Sequence, residues 1–339
     1  MTNLPPIDLR SDTVTRPDRR MRAAMADAEV GDDVLDRDPT MRALEERVAG
    51  LLGVADALWV PSGSMGNLIA LMAHLRRGDV FLAARGAHVL GNELGTAAWL
   101  AGGMPEALPW DGGPGRPTDD TVRAAAGHSG PYYTLRTTLL CLENTHNAAG
   151  GAVTPPDEHA LLVATAKECG LAVHLDGARI WNASVALGVP PAALTVGAQT
   201  VQACLSKGLG APVGSVVAGS AEFVVEARRL RKMLGGGVRQ GGVLAAAGLV
   251  ALDRIDDLAA DHENAATLAH GLTELGWQVT TPATNILLAA VPDVSVAVGK
   301  LTELGVLVAG MAGQVRFVTH RDVSATDIDE VLRRVKSGW

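Results

Sequence analysis

The chain has 339 residues, of which 47% are hydrophobic and 19% charged, and its formal net charge at pH 7 is −8. A chain of this length can bury one large core and a second, smaller one, because single cores stop growing at about 250–300 residues. The negative charge argues against nucleic acid or an anionic membrane surface as a partner and favours a small-molecule substrate.

The cellular location is also constrained by the sequence. No apolar run reaches the roughly 20 residues that a membrane span needs. The first 20 residues contain three aspartates instead of the apolar core of a signal peptide. The three cysteines are scattered and odd in number, which is typical of reduced thiols. We therefore expect a cytoplasmic protein without a membrane partner.

The first 40 residues are rich in Asp, Arg and Pro and show no helical or strand period of useful length. We expect an N-terminal arm over 1–40 that wraps around a neighbouring chain or around another lobe of its own chain. Because no internal repeat is visible, the rest of the chain is divided by its patterns alone, into a large domain over 41–245 and a small domain over 246–339.

Short apolar runs alternate with longer helical patterns through the large domain. The runs predicted as strands are 57–60, 80–83, 138–142, 172–175, 201–205 and 215–218. Apolar spacing of i, i+3, i+4 and i+7, as after 63, predicts helices near 63–77, 91–101, 118–127, 156–168, 178–188 and 220–233. Buried strands separated by helices predict an α/β fold, with a mainly parallel sheet covered by helices on both faces.

The pattern changes in the C-terminal part of the chain. An Ala- and Leu-rich helical pattern runs from 241 to 272, and shorter strands and helices follow it. The predicted strands are 279–281, 286–289 and 315–318, and the predicted helices lie near 294–303 and 325–336. This part is predicted to be a separate α+β lobe.

Chemically active residues follow three of the predicted strands. Asp176 and Lys207 each follow a buried strand, and the turn Pro61-Ser62-Gly63-Ser64 follows the first strand of the large domain. In parallel sheets, ligands bind at the carboxyl ends of the strands. We therefore expect these groups to lie at one edge of the sheet.

These three groups match the parts of pyridoxal phosphate (PLP). A desolvated lysine can lose its proton and attack a carbonyl, a carboxylate can hold the proton of a pyridine nitrogen, and a helix N-terminus can bind a phosphate. Taken singly, each has an ordinary interpretation as a surface lysine, a helix cap or a turn. Their joint placement favours a PLP site.

Two other functional classes remain as alternatives. The glycines from Gly208 to Gly214 resemble a nucleotide-binding loop, which would indicate an NAD(P)-dependent oxidoreductase. The context disagrees, because Pro212 stands where a helix should begin and no acidic residue ends a strand about 20 positions later. A non-catalytic interaction protein on the same fold is the second alternative.

Nine segments of the chain carry a family resemblance, and their order along the chain matches as well. They are DLRSDTVTRP (8–17), VGDDV (30–34) with DPT (38–40), PSGSMGNLIAL (61–71), AHVLGNE (87–93), LENTHN (142–147), HLDGARIWNA (174–183), CLSKGLGAPVGS (204–215), RKMLGGGVRQGG (231–242) and VRFVTHRDV (315–323). On these segments the chain resembles the threonine aldolases of the aromatic amino-acid β-eliminating lyase group. The resemblance implies the aspartate-aminotransferase-like fold (PLP fold type I), with PLP bound by the large domain.

The resemblance also implies roles for individual residues. The Schiff-base lysine of the family falls on Lys207, its pyridinium carboxylate on Asp176 and its ring-stacking histidine on His88. The residues implied to bind the substrate carboxylate are Ser11, Arg179 and Arg316. The other residues implied to bind the cofactor are Gly63, Ser64, Ser206 and, from a neighbouring subunit, Arg239; Arg179 is assigned to the cofactor as well.

The implied reaction is the retro-aldol cleavage of L-threonine, L-allo-threonine and related β-hydroxy-α-amino acids to glycine and an aldehyde. His88, directly or through a water, is the candidate base for the β-hydroxyl proton. Glu93 and Glu143 lie near motif histidines and either could tune a base, but the default interpretation of both is a structural carboxylate. The same cofactor would also support β-elimination, transamination or transaldol transfer. A homo-oligomer is implied, a dimer at least and a tetramer as in many relatives.

Three positions depart from the family pattern on the side that would face the substrate side chain. They are Leu35, Asn92 and Tyr133, where many or some relatives have tyrosine, an aromatic residue and a second histidine, respectively. These departures leave the diastereomer preference open. No residue is assigned as a metal ligand, and the sequence does not decide whether a structural cation binds near the N-terminal arm.

Overall fold

The computed structural model describes residues 5–35, 37–127 and 131–339. The described part of the N-terminal arm contains strand β1 (Ile7–Asp8) and helix α1 (Arg19–Ala26). The expectation of an arm without helical structure is therefore wrong. The helix has a clear N-cap, because the Asp18 carboxylate accepts the N–H of Met21, but Met21 is its one buried residue. A single buried side chain in two turns leaves no hydrophobic period to read.

Seven strands form the main sheet. They are β2 (Asp56–Val60), β3 (Asp79–Ala84), β4 (Met104–Leu108), β5 (Arg136–Glu143), β6 (Ala172–Gly177), β7 (Thr200–Cys204) and β8 (Ser215–Gly219). Their order across the sheet is β2-β8-β7-β6-β5-β3-β4, and β8 runs antiparallel to the other six. The six predicted strands are confirmed. The strand β4 was missed, because it is an edge strand that contains Pro105 and buries only Leu108.

Nine helices of the described residues accompany this sheet. They are α2 (Pro39–Leu52), α3 (Gly63–His74), α4 (His88–Gly91), α5 (Thr96–Trp99), α6 (Asp119–Ala126), α7 (Pro156–Glu168), α8 (Ile180–Leu187), α9 (Ala221–Met233) and α10 (Gly242–Leu252). Helix α2 was not among the predicted helices, and the predicted helix 91–101 is corrected to the single turns α4 and α5. The break between them contains Gly95 with φ +69°, a backbone conformation that ends a regular helix.

Both faces of the main sheet are covered by helices, as predicted. One face packs on α3 and α9 through residues such as Leu58, Val60 and Val217. The other face packs on α2, α8 and α10 through residues such as Trp59 and Val216. The architecture is therefore the α/β fold expected from the sequence. The carboxyl ends of the six parallel strands lie at the same edge of the sheet.

The C-terminal part forms an antiparallel sheet with helices around it. Its elements are α11 (Leu258–Glu274), β9 (Gln278–Val279), β10 (Ile286–Ala290), α12 (Val294–Glu303), β11 (Val306–Leu307), β12 (Ala309–Met311), β13 (Gln314–Val318) and α13 (Ala325–Gly338). The strand order is β12-β13-β10-β9, while β11 pairs in parallel with β1 of the arm. The arm thus contacts the C-terminal lobe of its own chain.

The predicted domain boundaries lie inside helices. The limit between 40 and 41 falls in α2, and the limit between 245 and 246 falls in α10, whose alanines pack in the core of the large sheet. The three-part division stays a prediction. None of the helices in the described ranges is both long enough and apolar enough to cross a bilayer.

Candidate active site

A cavity of about 350 Å³ opens at the carboxyl edge of the main sheet. Seven of the residues predicted from the sequence line it, namely Gly63, Ser64, His88, Asp176, Arg179, Ser206 and Lys207. They come from the ends of four different strands and from the turns that follow them. The parallel strand directions therefore bring together residues that are up to 144 positions apart in the chain.

Asp176 lies at the floor of this cavity and is 2% exposed. Its Oδ2 accepts the side-chain N–H of Asn67 at 2.8 Å, and its Oδ1 accepts the backbone N–H of Ala178 at 3.0 Å. With the Gln202 amide turned so that both its ends find partners, its nitrogen donates to Asp176 Oδ1 at 2.9 Å. A buried carboxylate with three donors is held in one orientation, so it can accept one further proton-bearing nitrogen from the cavity.

Backbone N–H groups form a second wall of the cavity. Helix α3 begins at Gly63 and is capped by Ser62, whose hydroxyl accepts the N–H of Met65 at 3.2 Å. The N–H groups of Gly63 and Ser64 are the first two of the helix and have no acceptor within it. A Cβ at Gly63 would lie 2.9 Å from the sulfur of Cys204, so only glycine lets the helix start this close to β7. The result is an anion cradle.

Lys207 is half-buried and extends into the same cavity. Its Nζ lies 3.3 Å from the sulfur of Cys204, and its backbone carbonyl accepts the hydroxyl proton of Thr15 at 2.8 Å. The N-terminal arm therefore helps to fix the main chain at the lysine. The glycine-containing turn after Lys207 leads into the antiparallel strand β8 and not into a helix, which removes the basis of the nucleotide-loop alternative.

His88 lies at the start of α4 and contacts two glutamates. Its ring Nδ1 lies 2.7 Å from Glu93 Oε1, and its backbone N–H donates to Glu143 Oε2 at 2.7 Å. The hydrogen bond to Glu93 raises the pKa of His88, burial opposes it, and the charges of Asp176, Glu93 and Glu143 raise it further. Burial, joined by the charge of Asp176, raises the pKa of Glu93. Glu93 thus contacts the imidazole ring and raises its pKa, while Glu143 accepts the backbone N–H of His88.

Ligand atoms of His88, Glu93 and Asp176 all lie within 4.8 Å of one another. The hydrogen bonds of this group, from His88 to Glu93 and from Asn67 to both carboxylates, account for the close approach. We therefore interpret the group as a hydrogen-bonded cluster that places the imidazole near the Asp176 carboxylate.

Two arginines meet beside the cavity. Arg179 donates from Nε and Nη2 to the two oxygens of Asp12, both at 2.7 Å. Burial raises the pKa of Asp12, but the Arg179 guanidinium outweighs this and lowers the pKa to about 2. Asn147 Oδ1 accepts from Arg316 at 2.8 Å and from Arg179 at 3.3 Å. Burial and the nearby charge of Arg179 lower the pKa of Arg316 to about 10, so both guanidinium groups stay charged at neutral pH.

Three predicted residues are not among those that line the cavity. Ser11 caps a short turn of the arm and accepts the N–H of Thr13, which does line the cavity. Arg316 reaches the cavity wall only through Asn147. The Arg239 side chain is 56% exposed and lies 3.7 Å from Asp32, so one chain by itself does not bring it to the anion cradle.

Several residues of the site were not predicted from the sequence. Asp12, Asn67, Asn147 and Gln202 are buried, and each donates to or accepts from a predicted site residue. All except Gln202 stand in segments that carry the family resemblance, which was an available signal for them. Gln202 had a different signal: strand register places it opposite Asp176, and an alternating pattern on β7 puts its side chain on the Asp176 face.

The chain is similar to known proteins over nearly its whole length. A family model described as "Beta-eliminating lyase" matches residues 8–293. A probable low-specificity L-threonine aldolase 2 of Arabidopsis thaliana is 42% identical over 98% of this chain and 96% of its own length. A solved threonine aldolase from Leishmania major is 20% identical with a TM-score of 0.84, covering 98% of this chain and 100% of that one.

The fold extends beyond these relatives. A solved aspartate aminotransferase from Thermus thermophilus is 17% identical and has a TM-score of 0.75, covering 99% of this chain and 92% of that one. The aspartate-aminotransferase-like fold implied by the sequence is thereby confirmed, as is the resemblance to the threonine aldolases. The chain belongs to the beta-eliminating lyase family.

Proposed function

We propose that the protein is a PLP-dependent aldehyde-lyase that cleaves L-threonine, L-allo-threonine and related β-hydroxy-α-amino acids to glycine and an aldehyde. The observation that carries the proposal is one cavity in which a lysine amine, an anchored carboxylate, an anion cradle and an imidazole lie together. The name of the Arabidopsis relative, at 42% identity, supports the same reaction.

The residues of the cavity fit PLP. The open N–H groups of Gly63 and Ser64 fit its phosphate, Asp176 fits its pyridine nitrogen and Lys207 is a primary amine beside both. The cavity volume of about 350 Å³ is in the usual range for a small-molecule site. When bound, the coenzyme supplies an aldehyde that joins to amines and a ring that withdraws electrons from the substrate's Cα.

The arginine pair gives the site its preference for an amino acid. Arg179 and Arg316 both direct a donor to Asn147 Oδ1, and Asn147 lines the cavity. A substrate carboxylate that approaches Asn147 would meet two charged planar donors, the geometry that carboxylates bind best. Holding the carboxylate there would orient the substrate's Cα, and so would select which of its bonds breaks.

His88 is the group we assign to the β-hydroxyl proton. With Nδ1 committed to Glu93, the imidazole has Nε2 left to accept a proton from a substrate hydroxyl. Such general-base help contributes about 10²–10⁴-fold to a rate. The Glu93 contact also limits how the ring can rotate, so that it faces the cavity.

We further propose that the protein acts as a homo-oligomer, a dimer at least and a tetramer by resemblance. In the lining of one chain's cavity, Arg179 is already paired with Asp12, and Lys207 is the amine assigned to the coenzyme's aldehyde. A phosphate dianion at the α3 cradle would gain from a further cation. Arg239 of a neighbouring subunit is the residue implied for that role. The cytoplasmic location stays a prediction.

The proposal is tested by product analysis with purified protein and added PLP. L-Threonine and L-allo-threonine should each release acetaldehyde and glycine in equal amounts, and Lys207→Ala should abolish the release. Formation of 2-oxobutanoate and ammonia without glycine would instead identify a β-eliminating lyase. A 2-oxo acid formed only with an added amino acceptor would indicate transamination. Either result would contradict the proposed aldolase.

A further inference from the structure

A buried chain of hydrogen bonds begins at Asn67, which lines the cavity, and continues into the protein away from it. The Asn67 amide nitrogen donates to both Asp176 Oδ2 and Glu93 Oε1, each at 2.8 Å. One side chain therefore contacts the carboxylate at the cavity floor and the carboxylate that holds His88. Asn67 itself is 2% exposed, so water does not compete for these bonds.

The orientation of the Asn67 amide is fixed from behind. Both hydrogens of its nitrogen are used by carboxylates, so its Oδ1 needs a donor, and His174 Nε2 lies 3.1 Å away. His174 must then carry its proton on Nε2, and its Nδ1 accepts from the Thr200 hydroxyl at 2.9 Å. The Thr200 oxygen in turn accepts from His74 Nε2 at 3.0 Å. Each donor in the chain has one acceptor, which gives a single consistent arrangement.

The inner members of this chain are uncharged and fully enclosed. His174 and Thr200 have exposed fractions of 0% and 1%. Burial lowers the pKa of His174 to about 4, so the ring is neutral at physiological pH and works as a directed donor and acceptor. Reversal of the Asn67 amide would aim its oxygen at two carboxylates and take one donor from each of them, a cost that the His174 contact prevents.

On the basis of the proposed function, we propose that Asn67 is a positioning residue that sets Asp176 and His88 together, and that His174 holds it in the required orientation. The cofactor-facing carboxylate and the imidazole base are then not independent. Both depend on the Asn67 amide, which donates directly to Asp176 and acts on His88 through Glu93. Neither Asn67 nor His174 needs to touch the reacting atoms for this effect.

The first test compares Asn67→Leu with wild type and with Asn264→Leu, a matched control whose amide donates to the Val323 carbonyl away from the cavity. PLP affinity is measured without substrate, by quenching of tryptophan fluorescence. Asn67→Leu should lower PLP affinity and kcat each by about 10–100-fold, the worth of hydrogen bonds to charged groups. KM should stay within about threefold, because the arginine pair is untouched. The control should change neither quantity.

The second test uses a conservative rescue at His174 and stays decisive if Asn67→Leu does not fold. The nitrogen of a glutamine can take the place of His174 Nε2, whereas a leucine cannot donate. His174→Gln should therefore retain most of the PLP affinity that His174→Leu loses. Equal affinity and kcat for the glutamine and leucine variants would overturn the inference, as would wild-type PLP affinity in Asn67→Leu.

These outcomes separate the inference from the proposed function. Wild-type protein that binds PLP but cleaves no threonine contradicts the proposed reaction, and the affinity measurements still decide the role of Asn67. Wild-type protein that cleaves threonine while Asn67→Leu behaves identically contradicts the inference alone.

Discussion

Two buried arginines of this protein are paired with aspartates from the first 40 residues, yet their surroundings differ. Arg179 pairs with Asp12 at the carboxyl edge of the main sheet, and its remaining nitrogen points to Asn147 on the cavity wall. Arg231 pairs with Asp33 and gives its other terminal nitrogen to the Trp59 carbonyl at 2.8 Å. The first pair stands beside Asn147 in the lining of the cavity, whereas Arg231 is not among the residues that line it.

The difference shows that an ion pair by itself does not reveal a role. Both pairs are almost fully buried, and burying charges costs about as much as their attraction returns. Position relative to the strand ends decides the outcome. We therefore assign the Arg179 pair to substrate binding and the Arg231 pair to anchoring the arm on α9.

The largest effect that separates the two pairs is expected from matched glutamine substitutions. Arg179→Gln should lower kcat/KM for threonine by about 10²–10³-fold, because a charged planar donor to the substrate carboxylate is lost. Arg231→Gln should leave kcat/KM of the folded protein within about threefold but lower the free energy of unfolding by about 3–5 kcal/mol. Steady-state kinetics and urea denaturation on both variants measure this. The assignment of the two pairs would be reversed if Arg231→Gln lost activity and Arg179→Gln kept it.

The Asp12 side of the first pair should appear as pH-dependent stability. The pKa of Asp12 is lowered from 3.8 to about 2, so its ionised form stabilises the folded protein above pH 4, and this contribution is lost as the pH falls through about 2. Asp12→Asn should lower the free energy of unfolding by about 2 kcal/mol at pH 7. Urea denaturation at pH 7, 4 and 3 should show the difference from wild type shrinking. A difference that is constant with pH would rule out the ionic contribution.

Two buried glutamates, Glu93 in the site and Glu45 beside the Arg231 pair, give a second comparison between the active site and the anchored arm. The hydrogen bond to Glu93 is the largest cause of the raised pKa of His88. Because the base must be neutral to accept a proton, activity is lost as the pH falls through that raised pKa. Glu93→Gln should therefore move the acid limb of the kcat/KM profile to lower pH, while Glu45→Gln, beside the Arg231 pair, should leave the limb in place. If the acid limb of the kcat/KM profile of Glu93→Gln stayed at the wild-type pH, His88 would not be the titrating base.

The smallest effect is expected at Glu45 itself. Burial raises the pKa of Glu45 from 4.5 to about 7, so the folded state binds its proton more tightly and stability falls as the pH rises between these values. A glutamine can still accept the N–H of Trp59, which Glu45 Oε1 accepts at 2.9 Å. Glu45→Gln should be about 1 kcal/mol more stable than wild type at pH 8 and similar at pH 5. Thermal melts at the two pH values test this, and a loss of stability at pH 8 would contradict it.

The sequence was sufficient for the parts of the fold that depend on local patterns. The large-domain strands are short apolar runs, and most helices carry a clear apolar period, so both were found. Strand β4 and helix α1 were not, because each buries a single side chain and so leaves no period. Helix α2 was also not predicted, although Met41, Leu44 and Val48 are buried at helical spacing. Residues at the strand ends were predicted to lie close together, because the carboxyl ends of parallel strands lie at one edge of a sheet.

The support of the site could not be predicted in the same way. Asn67 and Asp176 are 109 residues apart, and their contact exists only after α3 packs behind β6. Asp12 reaches Arg179 over 167 residues, from an arm whose path no local pattern specifies. Such contacts depend on the relative positions of elements, which residue types alone do not encode.

The central claim is that Lys207 carries the coenzyme, and covalent trapping tests it most directly. The PLP-loaded protein is reduced with borohydride, digested and examined by mass spectrometry. We expect the phosphopyridoxyl mass on the peptide that contains Lys207, with none after Lys207→Ala. A label at another lysine, or no label on a protein that still cleaves threonine, would contradict the account.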